Sequence, residues 1–208
     1  IQPLDLISAD ELEAIHKASI AILSEIGIEF MSQSARDHFR RAGADVDDQT
    51  ELVRIDEALV EACVKTAPKT FTLTPRNPDK ALKVGGGFWY AGSVAGPPQV
   101  HDELAGRRPG NFEDFKKLIQ LSQFFNSVQG FGYHPVSPID IPANTRHLDT
   151  YWTCLTEGDK TYKITAIGRE RTLDAIDMMA IAKGMTREQM KTQPALVTTI
   201  SINSPRRV

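Results

Sequence analysis

Three apolar segments in the second half of the chain recur at a nearly constant interval. They are predicted β-strands over 128–133, 162–167 and 196–202, and their first residues lie about 34 positions apart. A predicted helix that Asn111 can cap precedes the first strand, and helical periodicity over 145–156 and 170–183 separates the strands. Strands that alternate with helices at this interval are typical of a parallel sheet with right-handed crossovers, so the sequence predicts an α/β fold.

The length of the chain limits how much of such a sheet it can build. Three parallel strands cannot close a barrel, and 208 residues fall short of the roughly 250 of a usual (β/α)8 barrel. We therefore expect a truncated chain with a partial (β/α)8 TIM-type barrel over 111–208, preceded over 1–110 by an N-terminal helical region and a small antiparallel sheet. The alternative is a complete doubly wound domain, whose small sheet the N-terminal segments would cover.

The first third of the chain predicts three short helices. Ser8 and Glu11 have the spacing of a capping box at the start of the first helix. The second covers 35–42, and the third begins after Asp56 and carries Cys63 on its apolar face. Because each helix has an apolar face, we expect these faces, and the Cys63 thiol, to be buried.

Short apolar runs then predict the small antiparallel sheet. They cover 71–74, 81–84 and 88–91, and clusters of proline, asparagine and glycine separate them. The glycines at 85–87 lack the Lys-Ser/Thr pair of a phosphate-binding loop and the spacing of a dinucleotide fingerprint. We therefore interpret them as a turn.

Charge and composition exclude several classes of protein. The chain has 24 Lys and Arg against 27 Asp and Glu, and no basic run is longer than two residues, which disfavours a nucleic-acid partner. No apolar stretch reaches the ~20 residues of a membrane span and no signal peptide is recognisable, so we expect a cytoplasmic protein with no membrane partner. Cys63 and Cys154 lie far apart, which favours buried free thiols over a disulfide or a metal pair.

An ordered set of short phrases runs through the whole chain. They occupy 22–30, 42–47, 53–55, 67–68, 76–78, 101–102, 106–109, 114, 138–142, 160 and 203–205. Examples are Gly43-Ala44-Asp45, Arg76-Asn77-Pro78 and Asn203-Ser204-Pro205. In this order they resemble the trimethylamine methyltransferase family, although no single phrase is a catalytic signature.

The resemblance implies a (β/α)8 barrel of roughly twice this length. It also implies methyl transfer from a methylated amine to the Co(I) form of a corrinoid, which a separate partner protein carries and this chain does not bind tightly. Relatives that act on trimethylamine use pyrrolysine in the C-terminal half, whereas many others act on betaine-type quaternary amines. We expect the second group, with a betaine as substrate and a homo-oligomeric protein, and keep a trimethylamine-specific enzyme as the alternative.

Five residues are candidates for binding the amine. Tyr133 and His134 end the first predicted parallel strand and Asn203 ends the last, and barrel active sites lie at these ends. Trp89 and Tyr90 could supply aromatic faces to a quaternary ammonium, but a regular strand would point them to opposite sides. Each also has an ordinary structural interpretation, as a packing residue, a loop hydrogen bond or a helix cap. The sequence assigns no catalytic residue.

Other polar residues near the strands are interpreted as structural. Lys160 and Lys163 lie at the start of the middle strand, the end of a barrel where stability is the usual role, whereas Thr165 and Ala166 are small residues nearer the functional end. The two-arginine turn at Arg107-Arg108 is expected to hold a loop through carboxylate pairs, or to face a partner, in preference to binding a phosphate. The adjacent ligands at 101–103 point to alternate sides, so no metal site is predicted.

Two other functions stay open from the sequence alone. An unrelated barrel lyase or isomerase would need an acid–base pair, for which the chain offers His134 with Asp140 in the following loop. A non-catalytic module that only binds quaternary amines would need the pocket without a corrinoid partner.

Overall fold

The computed structural model describes residues 6–165 and 167–200, and it divides after Pro68 into two compact units. The predicted division at residue 110 concerns where a barrel begins, and it stays a prediction.

The first unit combines three helices with a small antiparallel sheet. The helices are α1 (Ala9–Ala21), which continues as a π-helical turn over Ile22–Ile26, α2 (Gln33–Ala42) and α3 (Glu57–Thr66). The strands β1 (Ile28–Glu29), β2 (Asp45–Asp47) and β3 (Leu52–Arg54) pair in the order β1-β3-β2. The caps are as predicted: Ser8 and Glu11 form a reciprocal capping box, and the Asp56 side chain accepts from the Leu59 amide. This sheet was not predicted.

The core of the first unit is small. It consists of Ile28, Phe30 and Val53, with half-buried apolar side chains around them. The predicted burial of the helix faces is wrong: α1 and α3 have no buried residue, Ile15 is 55% exposed, and Cys63 is exposed. Helical periodicity shows that a face is apolar, but not which segment covers it.

Two antiparallel hairpins open the second unit. They are β4 (Thr70–Leu73) with β5 (Leu82–Gly85), and β6 (Gln99–Asp102) with β7 (Gly106–Pro109). A 3-10 turn over Pro78–Lys80 lies between β4 and β5. The predicted glycine turn is confirmed, because Gly85, Gly86 and Gly87 all have positive φ, and a Cβ on Gly85 would lie 2.2 Å from the Lys69 carbonyl oxygen. Residues 88–91 make only an isolated bridge instead of the predicted strand, and the second hairpin was not predicted.

The alternation of helix and parallel strand is confirmed. The helices are α4 (Phe112–Phe124), α5 (Arg146–Thr156), α6 (Arg169–Lys183) and α7 (Arg187–Thr192), of which α7 was not predicted. The strands β8 (Gly130–Phe131), β9 (Thr161–Lys163) and β10 (Leu196–Val197) pair in parallel, with β9 in the middle. The fold is therefore mixed α/β, with strands shorter than predicted.

The helices of the second unit bury their apolar faces on this sheet. The core includes Phe115 and Ile119 of α4, Tyr162 of β9 and Met179 of α6, each at most 1% exposed. Cys154 is buried among them as predicted, and burial raises the pKa of its thiol. No helix in the described ranges has the length and apolar character needed to cross a bilayer.

Candidate functional site

A pocket lies where β8 and β9 end, at the carboxyl edge of the parallel sheet. Its volume is about 140 Å³, close to the ~150 Å³ that holds a benzene-sized ligand. We call it the strand-end pocket; its lining residues are Tyr133, His134, Ser137, Ala143, Arg146, His147, Thr165 and Arg171. Ligands of α/β proteins bind at this edge, so the pocket is the candidate site.

After β8 the backbone at Gly132 packs directly against the backbone of Ser93. The amide of Gly132 donates to Ser93 Oγ at 2.8 Å, and a Cβ at Gly132 would lie 2.1 Å from the Ser93 carbonyl oxygen. Only glycine fits there. The next two residues, Tyr133 and His134, then turn toward the pocket, as the sequence predicts for residues that end a parallel strand.

His134 is buried against the wall of the pocket as a neutral imidazole. Its Nε2 lies 3.2 Å from Thr150 Oγ1, and the Thr150 hydroxyl can donate to the carbonyl oxygens of Arg146 and His147, both at 3.0 Å. We therefore assign the ring proton to Nε2, which donates to the hydroxyl oxygen. Burial, with the nearby charge of Arg146, lowers the pKa of His134 to about 4.

Tyr133 brings an aromatic ring to the same wall. It is half-buried, and its ring stacks on that of His134 with centroids 4.0 Å apart and planes 23° apart. Phe115 meets the imidazole edge to face at 5.7 Å. The two sequence candidates thus form one stacked pair that core packing holds in place.

A second histidine lines the pocket from α5. His147 is buried, its Nε2 lies 2.8 Å from Asp174 Oδ2 of α6, and its Nδ1 has no hydrogen-bond partner among the described residues. Thr165, which follows β9, likewise has a buried Oγ1 without a described partner, while its amide donates to the Tyr151 hydroxyl at 2.9 Å. Two lining residues therefore have spare hydrogen-bonding capacity.

Sequence reasoning missed His147 and the arginines of the lining. Arg146 and His147 lie in the first turn of α5, and Arg171 in the first turn of α6. In βα units a helix begins at the edge where the preceding strand ends. The first turns of the predicted helices at 145–156 and 170–183 were therefore the signal that could have found them.

The other sequence candidates lie elsewhere. Trp89 is 67% exposed, and Tyr90 packs beside Gly92 and Gly130. Neither lines the strand-end pocket. Asn203, like the small residue Ala166, lies outside the described residues. Ligand contacts by Trp89, Tyr90 and Asn203 stay predictions.

Lys160 has a structural environment at the opposite edge of the sheet. Its buried ammonium donates to the carbonyl oxygens of Ser122, Phe125 and Val128, at 2.7, 2.8 and 2.6 Å. These contacts cap the C-terminal end of α4 and agree with the stabilising role expected from the sequence.

Arg108 makes the carboxylate pairs that were predicted for it. Its guanidinium donates to both oxygens of Asp114, at 2.6 and 2.8 Å, and to Asp102 at 3.3 Å, although from strand β7 and not from a turn. Among the described residues, no group of three or more His, Cys, Asp or Glu is placed to hold a metal ion.

The fold and the pocket together define an α/β protein with a small polar pocket at the carboxyl edge of a parallel sheet. Comparison with known sequences gives the family. The family described as trimethylamine methyltransferase (MTTB) matches residues 1–208, and the chain belongs to this family.

Three relatives show how much of a whole protein this chain represents. It is 30% identical to the glycine betaine methyltransferase of Desulfitobacterium hafniense strain Y51, over 97% of this chain and 41% of that protein. It is 39% identical to the trimethylamine methyltransferase MttB of strain DCB-2 of the same species, over 95% of this chain and 40% of that protein. It is 29% identical to the proline betaine:corrinoid methyltransferase of Eubacterium limosum, over 61% of this chain and 26% of that protein. The chain thus spans about two fifths of the first two relatives.

Proposed function

We propose that the protein containing this chain transfers a methyl group from a methylated amine, a quaternary one such as a betaine, to the Co(I) corrinoid of a separate partner protein. The family match over the whole chain carries this proposal. Two of the relatives are named for betaines and one of those for a corrinoid, which supports the choice of donor and acceptor.

The pocket supports a role in binding the amine. Its size suits a small molecule and not a corrin ring, so we assign the amine to this chain and the corrinoid to the partner protein. The corrinoid, when bound there, supplies the cobalt nucleophile, and the demethylated amine leaves with the electron pair of the broken C–N bond. We further propose that β8, β9 and β10 are the first strands of a (β/α)8 barrel, with the strand-end pocket at its functional edge.

The residues of this chain would bind and orient the methyl donor. Tyr133 offers an aromatic ring to a quaternary ammonium, an interaction worth ~0.5–2 kcal/mol depending on desolvation. His134 stays uncharged near neutral pH because its pKa is about 4, so it does not repel that cation. Holding the donor in a fixed orientation is the main contribution that such a site can make. Cytoplasmic location and homo-oligomeric assembly stay predictions.

The test uses the whole protein with a Co(I) corrinoid protein as methyl acceptor. Glycine betaine and trimethylamine are offered separately, and cobalt methylation is followed by its absorbance change. We expect methylation with glycine betaine. Methylation with trimethylamine alone would favour the trimethylamine-specific alternative. Binding of either amine without any methylation would contradict the transfer and favour a binding module.

Variants of the aromatic wall add a residue-level control. Tyr133→Leu should raise the KM for glycine betaine ~2–30-fold, whereas Tyr133→Phe, which keeps the ring, should stay near the wild-type value. Trp89→Leu is the matched aromatic variant outside the pocket and should have little effect. If Trp89→Leu weakens binding and Tyr133→Leu does not, the amine lies at the other sequence candidate.

A further inference from the structure

The lining of the strand-end pocket has charges of one sign. Within the part of the chain that the structure describes, Arg146 and Arg171 are the only formally charged residues in this lining, and both are half-buried. Among the described residues neither guanidinium has a carboxylate within ion-pair distance, unlike Arg36 and Arg108, which each pair with two. Asp174, which is not a lining residue, is engaged by the lining residue His147. The described part of the pocket therefore has an excess of positive charge.

Backbone carbonyls hold both arginines without neutralising them. Arg146 donates from Nε and Nη2 to the carbonyl oxygen of Ile141, at 3.2 and 2.8 Å, and Arg171 donates from Nη2 to that of Ala143 at 3.1 Å. A guanidinium has five N–H donors, so each retains donors for another partner. The two side chains are thus positioned by the loop before α5 and keep their full charge.

The helix ends add to this positive potential. Arg146 and Arg171 lie in the first turns of α5 and α6, and the cap residues Thr145 and Gly168 give neither helix a side-chain hydrogen bond. The amino-terminal end of a helix carries a partial positive charge and favours an anion. An independent observation comes from the buried His147 Nδ1 and Thr165 Oγ1, which have no described partner.

We propose that Arg146 and Arg171 form a carboxylate-binding subsite that selects a zwitterionic betaine over an amine without a carboxylate. The inference rests on the proposed function for the identity of the ligand. The carboxylate lies against the two guanidinium groups, and the ammonium end of the same molecule contacts the Tyr133 ring. A ligand with only a positive charge meets uncompensated like charge, so the pair also disfavours it.

The test measures equilibrium binding to the whole protein by calorimetry, without corrinoid, and uses three probes. Glycine betaine has both charges, 3,3-dimethylbutyrate is the same shape with only the carboxylate, and tetramethylammonium has only the cation. Arg146→Met and Arg171→Met are compared with Arg169→Met, which removes an exposed charge from the same helix start. Circular dichroism melting shows whether each variant folds. If Arg146→Met does not fold, the comparison of Arg171→Met with Arg169→Met decides the test.

Each arginine variant should weaken glycine betaine and 3,3-dimethylbutyrate at least ~10-fold, because it removes charge-assisted hydrogen bonds. Tetramethylammonium affinity should stay within about twofold or improve, and Arg169→Met should resemble the wild type. Folded variants that bind 3,3-dimethylbutyrate as the wild type does, or a wild type that does not bind it, would overturn the subsite.

The same variants separate this inference from the proposed function. If arginine-dependent carboxylate binding persists but glycine betaine methylates no cobalt, the subsite stands and the transfer function falls. If glycine betaine methylates cobalt and the arginine variants bind it normally, the function stands and the subsite falls.

Discussion

Helices α1 and α4 begin with the same kind of cap but pack in different surroundings. Both have 13 residues and a capping box, Ser8 with Glu11 and Asn111 with Asp114. Yet α1 buries no side chain, whereas α4 buries Phe115, Ile119 and Ser122. The comparison separates the local signals that start a helix from the tertiary contacts that give its apolar face something to cover.

The difference follows from what each helix packs on. Helix α4 lies against β8 and α5, and its side chains join a core that also contains Tyr162 and Met179. The core of the first unit is built from β1, β3 and the segments around them, and the exposed apolar side chains of α1 do not join it. Burial of an apolar side chain typically contributes about 1.5–3 kcal/mol, so α4 is far more strongly held.

The largest expected effect tests this contrast with one substitution at two positions. Ile119→Ala in α4 should lower the free energy of unfolding by about 2–5 kcal/mol, because Ile119 is fully buried and a cavity would remain. Ile15→Ala in α1 is the matched control and should change it by less than about 0.5 kcal/mol. Denaturant unfolding of the whole protein measures both. A comparable loss at Ile15 would contradict the contrast between the two helices and show that another surface covers α1.

The second prediction concerns the pH dependence of stability. It follows from His134, whose ring packs on Phe115 in the buried core of α4. The pKa of His134 falls from 6.5 to about 4 on folding, so the unfolded chain binds more protons between these values. The free energy of unfolding should therefore be highest above about pH 6.5. It should fall by up to about 3 kcal/mol as the pH decreases toward 4.

Two measurements check the histidine prediction. The imidazole resonance of His134 should titrate near pH 4 in NMR spectra of the folded protein. His134→Gln keeps a donor toward Thr150 and should make the loss of stability between pH 6.5 and 4 smaller than in the wild type. An imidazole that titrates at its ordinary pKa would show that the ring is hydrated and that the wall of the pocket is open.

The smallest expected effect concerns the feature that the two helices share. Asn111→Ala and Ser8→Ala each remove a capping interaction worth about 1 kcal/mol. The loss at Asn111 should appear in global unfolding, because α4 belongs to the main core. The loss at Ser8 should appear as faster amide hydrogen exchange within α1. If the amides of α1 are as protected from exchange as those of α4, or if Ser8→Ala lowers the free energy of global unfolding, α1 belongs to the cooperative core.

Local signals predicted most of the helices. The capping residues Ser8, Asp56 and Asn111 begin the helices that the spacing of apolar residues predicts. The short antiparallel strands β1 to β3 were missed because two- and three-residue strands have too few positions to show alternation.

The candidate site was predicted in part. Tyr133 and His134 were found because a parallel strand ends just before them, and that position follows from the order of elements along the chain. Arg146, His147 and Arg171 were missed because they belong to the helices that follow, where charged residues usually face solvent. The pocket joins residues up to 38 positions apart, from Tyr133 to Arg171, so the sequence shows its members without showing that they meet.

The helix starts, the glycine turn after β5 and the alternation of strand and helix follow from local sequence alone, because these features depend on backbone preferences and hydrogen bonds between near neighbours. The folded structure was needed to show that Cys63 is exposed, that α4 has a core and α1 does not, and that two arginines without a carboxylate partner among the described residues face one pocket. Such outcomes depend on which distant segments exclude water from a surface, and no local pattern encodes that.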